Sequence, residues 1–117
     1  MDRIIISAYN PLIIEGIKYI MKEKGLKFKI VGEATTIDHF LTLIEHKLLD
    51  YAIVDTALTW RSGVDFVEEV ERRNKRVKII PISVHPIDQH VLSGIKNRLQ
   101  HQNILTGQLE DIMMFGT

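Results

Sequence analysis

RIIISAYNPLIIEG, residues 3–16, decides how the rest of the chain is read. Ile4, Ile5 and Ile6 are contiguous and β-branched, the pattern of a strand covered on both faces, as in a parallel sheet. Asn10-Pro11 then supplies a helix N-cap and a proline at the first helical position. A strand that runs straight into a helix is the first half of a βα unit. The carboxyl edge of such strands is where open α/β sheets bind ligands and do chemistry. Here that edge carries Ser7, Ala8 and Tyr9, where an enzyme would need charge.

The same rhythm repeats along the chain. Pro11 to about Lys24 carries Leu12, Ile13, Ile17, Ile20 and Met21 at helical spacing, and Lys22, Lys24 and Gly25 close the helix. KFKIVGEA, residues 27–34, is a second strand, and Thr35-Thr36 caps a helix through Phe40, Leu41, Leu43 and Ile44. YAIVD, residues 51–55, is the third strand, and TALTWRSG the loop after it. Val64 to Arg73 forms a third helix with Val64, Phe66, Val67 and Val70 apolar, acids in its first turn and Arg72 and Arg73 at its end. VKIIPIS, residues 77–83, is the fourth strand, in which Pro81 belongs at a strand end or a sheet edge because it cannot donate to a ladder. Asp88 to Leu99 is a fourth helix, followed by a brief strand from Asn103 to Thr106 and a short helix from Gln108 to about Phe115. Five βα units predict a doubly wound, five-stranded parallel sheet with helices on both faces, a single domain over residues 1–117.

Composition fits that reading and excludes others. The 117 residues suffice for one compact domain, and 45% hydrophobic with 26% charged residues is ordinary for a soluble globular protein. Fifteen basic residues balance fifteen acidic ones, so no global field draws the chain towards nucleic acid or membrane. No cysteine is present, which excludes disulfides and thiolate metal sites. No apolar run reaches membrane-spanning length, and the strand begins too early to leave room for a signal peptide, so a cytoplasmic location is expected. There is no glycine-rich phosphate loop after a strand and no Gly-x-Ser-x-Gly elbow.

Taken in order, NPLIIEG, VGEATTIDHFL, YAIVDTALTWRSGVDFVEEV and KIIPIS resemble the receiver domain of bacterial response regulators. Pro11-Leu12, Glu15-Gly16 and Val31-Gly32-Glu33-Ala34 are similar in particular to receivers joined to LuxR/NarL-type helix-turn-helix transcription factors. The resemblance implies a (βα)5 flavodoxin-like fold and a phosphoryl acceptor at the end of the third strand, where Asp55 stands. It also matches Gly63 to the glycine that opens the third helix, and Ser83 to a hydroxyl that contacts a phosphoryl oxygen. Each residue has a plainer reading too. Asp55 can simply end a strand and cap the following turn, and Ser83 can cap the next loop.

The resemblance implies two acids after the first strand that hold magnesium beside the acceptor. Aligned on Pro11, those places are Ala8 and Tyr9, which supply no carboxylate to a hard cation. The lysine implied at the end of the fifth strand falls near Thr106, and the proline usual after the acceptor is replaced near Thr59-Trp60. Phosphoryl transfer rests on positioning and on neutralising charge. The expectation is therefore a degenerate receiver that binds magnesium poorly, requires no cofactor and has no resident metal. Tyr9 either packs over Asp55 or faces solvent.

Other features read more simply. His85, Asp88 and His90 lack a recognised metal spacing and suit a polar helix start. ERRNKRVK, residues 71–78, could touch nucleic acid but also complements a helix end. In the last helix Leu109, Ile112 and Met113 form a core stripe, while Met114 and Phe115 fall partly outside it, either as core or as an interface. The resulting expectation is a non-enzymatic regulatory and dimerisation module of a LuxR/NarL-type transcriptional regulator, acting without aspartyl phosphorylation. Its partner would be a second copy or a related regulator, and DNA would be reached only through a C-terminal domain that these residues do not contain. The alternatives are a working phospho-acceptor using Asp55, or an adaptor that heterodimerises with a phosphorylatable regulator.

Overall fold

The structure, a computed structural model, describes residues 2–55, 57–58 and 66–82. Its elements in chain order are β1 (Asp2–Ser7), α1 (Pro11–Glu23), β2 (Phe28–Ala34), α2 (Ile37–His46), β3 (Tyr51–Asp55), α3 (Phe66–Arg73) and β4 (Lys78–Ile82). The strands form one parallel sheet in the order β2-β1-β3-β4. This is the α/β architecture expected from the βα rhythm. The fifth strand and the helices expected beyond residue 82 lie outside the described residues, as do Trp60, Gly63, Ser83, Thr106, Met114 and Phe115.

The isoleucine run explains why β1 is central. Ile4, Ile5 and Ile6 are all fully buried, so both faces of this strand must be covered. On one face Ile5, Ala52, Val54 and Ile79 pack with Phe40 and Ile44 of α2 and Phe66 and Val70 of α3. On the other, Ile4, Ile6, Ile53, Ile80 and Ile82 meet Ile14, Ile17 and Met21 of α1. Each fully buried isoleucine contributes ~1.5–3 kcal/mol relative to exposure, so the two layers hold the helices on opposite sides. Pro81 stands opposite Val54 in β4, one residue before the strand ends, where a missing N–H costs little.

The face of α1 differs from the sequence expectation. Asn10 accepts the Leu12 N–H at 2.9 Å and Pro11 starts the helix, which sets its phase. Ile14, Ile17 and Met21 then face the sheet, at i, i+3 and i+7. Leu12, expected in the apolar stripe, is instead 77% exposed, and Ile13 and Ile20 sit half-buried at the margins.

β2 carries an irregularity. Ile4 pairs with Ile30 but Ile5 pairs with Gly32, so Val31 is an extra residue in the ladder. Gly32 then lies beneath α2. A Cβ placed there would come within 3.1 Å of the Leu43 methyls and 3.3 Å of Ile5 Cγ2. Glycine lets α2 approach the sheet this closely. At Gly16 of α1, by contrast, an added Cβ meets nothing within 4 Å. Gly32→Val is expected to destabilise the fold by ~1–3 kcal/mol through overpacking. Gly16→Ala is expected to stabilise it by ~0.5–1 kcal/mol through helix propensity. Urea unfolding of both variants checks the pair, and equal shifts in one direction would refute the assigned environments.

Candidate functional site

The carboxyl ends of β1 and β3 define the site. The strand order moves outward from β1 to β2 and then, on the other side, to β3 and β4, so the chain reverses direction across the sheet between β1 and β3. Ser7 pairs with Val54 and with Ala34, which places Ala8 level with Asp55 one step further on. The Ala8 N–H donates to the Ala34 carbonyl at 3.0 Å, so the backbone stays bound to β2 beyond the end of β1. Ala8 is fully buried in the apolar layer with Ile6, Ile14 and Ile53. Tyr9 follows and is 54% exposed, so much of its ring faces solvent.

Asp55 is fully buried at the end of β3. Its Oδ1 accepts the Ala57 N–H at 3.1 Å, the local bond by which an aspartate shapes the turn after a strand. The plainer of the two sequence readings of Asp55 is thus physically present. Among the described residues no group of three His, Cys, Asp or Glu side chains gathers in a way that could hold a metal ion.

Two features of this edge were hidden in the sequence. Ser7 is fully buried, and among the described residues its Oγ has no hydrogen-bond partner. Its position before Ala8 was plain, but the alternation of a strand does not say that a hydroxyl will go unpartnered. Glu15 and Glu33, which carry the family resemblance, are drawn together by a residue outside both motifs. Lys18 Nζ lies 2.9 Å from Glu33 Oε2 and 3.4 Å from Glu15 Oε1, tying α1 to β2 just below the site. The hydrogen bond to Glu33 is the main reason the Lys18 ammonium holds its proton above the ordinary lysine range. A lysine three residues after a glutamate suggests only a local pair; its reach to β2 needs the fold.

The comparisons with known proteins agree with this architecture. The family model described as the response regulator receiver domain matches residues 4–106, and the chain belongs to that family. Its flavodoxin-like α/β fold is the receiver fold. No curated protein matches the chain. Among solved structures, RcsB from Salmonella enterica serovar Typhimurium bound to promoter rprA in the presence of phosphomimetic BeF3- is similar, at 16% identity and TM-score 0.68. The match covers 83% of this chain and 49% of that one, so the chain spans about half the length of that regulator. The isolated receiver domain of the same RcsB, also with BeF3-, gives TM-score 0.71 at 15% identity over 95% of this chain and 82% of that one. The signal receiver domain of the response regulator NarL from Mycobacterium tuberculosis gives TM-score 0.63 at 24% identity, covering 80% and 77%. No helix among the described residues is long and apolar enough to cross a membrane.

Ser7 gives a direct test of the site's packing. A buried hydroxyl without a partner carries a desolvation penalty of ~1–3 kcal/mol. Ser7→Ala is expected to raise stability by ~1 kcal/mol and the unfolding temperature by a few degrees. Calorimetry of the two proteins decides it, and a lower unfolding temperature would mean that the hydroxyl has a partner.

Proposed function

We propose that this receiver domain acts without aspartyl phosphorylation, as a non-enzymatic regulatory and dimerisation module of a LuxR/NarL-type transcriptional regulator in the cytoplasm. The observation that carries this reading is Ala8. It stands level with Asp55 on the neighbouring strand, sealed among isoleucines, where a metal-holding carboxylate would be needed. Magnesium takes hard oxygen ligands, and a buried methyl group supplies none. Tyr9 offers a neutral phenol in the next position. Asp55 itself is out of contact with solvent and has Oδ1 engaged by its own loop, which a phosphoryl donor would have to open. Charge neutralisation by metal and cation is most of what catalyses phosphoryl transfer, so its loss removes the reaction while leaving the fold intact.

Incubation with acetyl phosphate and magnesium, followed by intact mass measurement, tests this. The mass is expected to stay unchanged. A stoichiometric adduct that disappears in Asp55→Asn would overturn the proposal and make Asp55 a working acceptor.

Such a domain acts through a fixed association, and α1 offers the surface. Leu12 is 77% exposed and Tyr19 64% exposed on the outer side of the helix, with Gly16 between them leaving room for close approach. The last helix, with Met114 and Phe115, is the proposed second half of that contact. The partner is a second copy or a related regulator; solved RcsB structures include dimers bound to DNA. Any DNA-binding domain is a separate part of the proposed regulator. Sedimentation of the chain without phosphodonor is expected to show a dimer that Leu12→Asp or Tyr19→Asp converts to monomer. A species unaffected by either change would remove α1 from the interface.

A further inference from the structure

The net charge of zero conceals a one-sided distribution. In a parallel sheet every loop from a helix into a strand returns to the same edge, the amino edge, opposite Asp55. Apart from Lys18, each described lysine and arginine lies in the last turn of a helix, in a loop leading into a strand, or within the first two residues of a strand. Lys24, Lys27, Lys29, Lys47, Arg76 and Lys78 are exposed there, and among the described residues none forms an ion pair. Arg3 stands beside Lys29 in register, its Nε donating to the Leu48 carbonyl at 2.6 Å. By the same placement the acids on this edge are Asp2, Glu23, Glu45, Asp50 and Glu71; Glu45 is paired with Arg73, and the Asp50 carboxylate accepts the Arg3 backbone N–H at 2.8 Å. At the opposite edge lie Glu33, Asp38 and Asp55, with Glu68 and Glu69 in the first turn of α3.

Complementing helix dipoles accounts for part of this basic edge. It covers Lys24 and Lys47, which follow the last turns of α1 and α2. It does not cover Arg3, Lys27, Lys29, Arg76 and Lys78, which lie in or beside strand starts, because strands carry little net dipole. Adjacent strands are ~4.8 Å apart, so the cations from β2 to β4 span ~14 Å of open surface. A row of separated single charges suits a ligand with repeating anions better than one small anion. A membrane surface fits less well, since Leu48 is the single large apolar side chain openly exposed in the loops of this edge among the described residues. An acidic protein would need apolar contact, and the Tyr51 ring there lies beneath Lys78, whose ammonium is 5.8 Å from its centroid.

We propose that the amino edge of the sheet docks the phosphate backbone of a nucleic acid, without regard to base sequence and independently of Asp55. The test uses the 117-residue chain and a fluorescein-labelled DNA duplex, with anisotropy followed from ~50 to ~200 mM salt. Saturable binding that weakens steeply with salt is expected. In Lys27→Glu/Lys29→Glu/Arg76→Glu the affinity should fall at least ~10-fold and the salt slope by about 3, near one unit for each lost phosphate contact. Circular dichroism confirms that the variant is folded; if it is not, Lys27→Gln/Arg76→Gln is used, with a proportionately smaller loss. No binding at the lowest salt, or binding that either folded variant retains in full, overturns the proposal. Equal displacement of the duplex by polyglutamate of matched charge also overturns it, in favour of an acidic protein partner.

Discussion

The whole architecture depends on the burial of β1 from both sides. Three consecutive isoleucines cannot all be hidden by a strand that faces water on one side, so helices must cover both faces of the sheet. Parallel pairing with β2 and β3 satisfies the backbone of this strand, and the crossovers that parallel pairing demands supply those helices. Once β1 is fixed, Ser7, Ala8 and Tyr9 are delivered to the reversal point of the sheet, level with the end of β3. The position of Asp55 beside an alanine is thus a consequence of core packing as much as of the site's own chemistry.

Much of this could be read in the sequence. The β-branched runs give the strands, the caps Asn10 and Thr36 give two helix starts, and Asp55 falls at a strand end as expected. The face of α1 could not be fixed as well, because Leu12, Ile13, Ile14, Ile17, Ile20 and Met21 contain more apolar residues than one buried stripe can use. Which of them turns inward is decided by the helix phase, and that is set at Asn10-Pro11. Gly32 shows a second limit. Its value depends on the Leu43 methyls directly above it, a contact between two elements that no local pattern encodes.

The fold stands without a carboxylate at the end of β1. Removing carboxylates from a strand end takes away mutual repulsion and desolvation cost, and a buried alanine in their place adds apolar contact. Stability alone therefore gives no reason for acids at this place. The ties that align α1 with β2, through Lys18 and its two glutamates, do not involve Asp55 at all.

The extra residue at Val31 has a bearing on how the molecule behaves in a crowded solution. Among the described residues β2 has a neighbour on one side only, and a straight outer strand invites the same strand of another molecule to add to the sheet. A local break in the ladder bends and twists that strand, and the exposed Lys29 and Glu33 flank the break. A second molecule would find neither a continuous register nor an uncharged border on which to build. The irregularity that seats Gly32 beneath α2 thereby also guards the chain against edge-to-edge polymerisation.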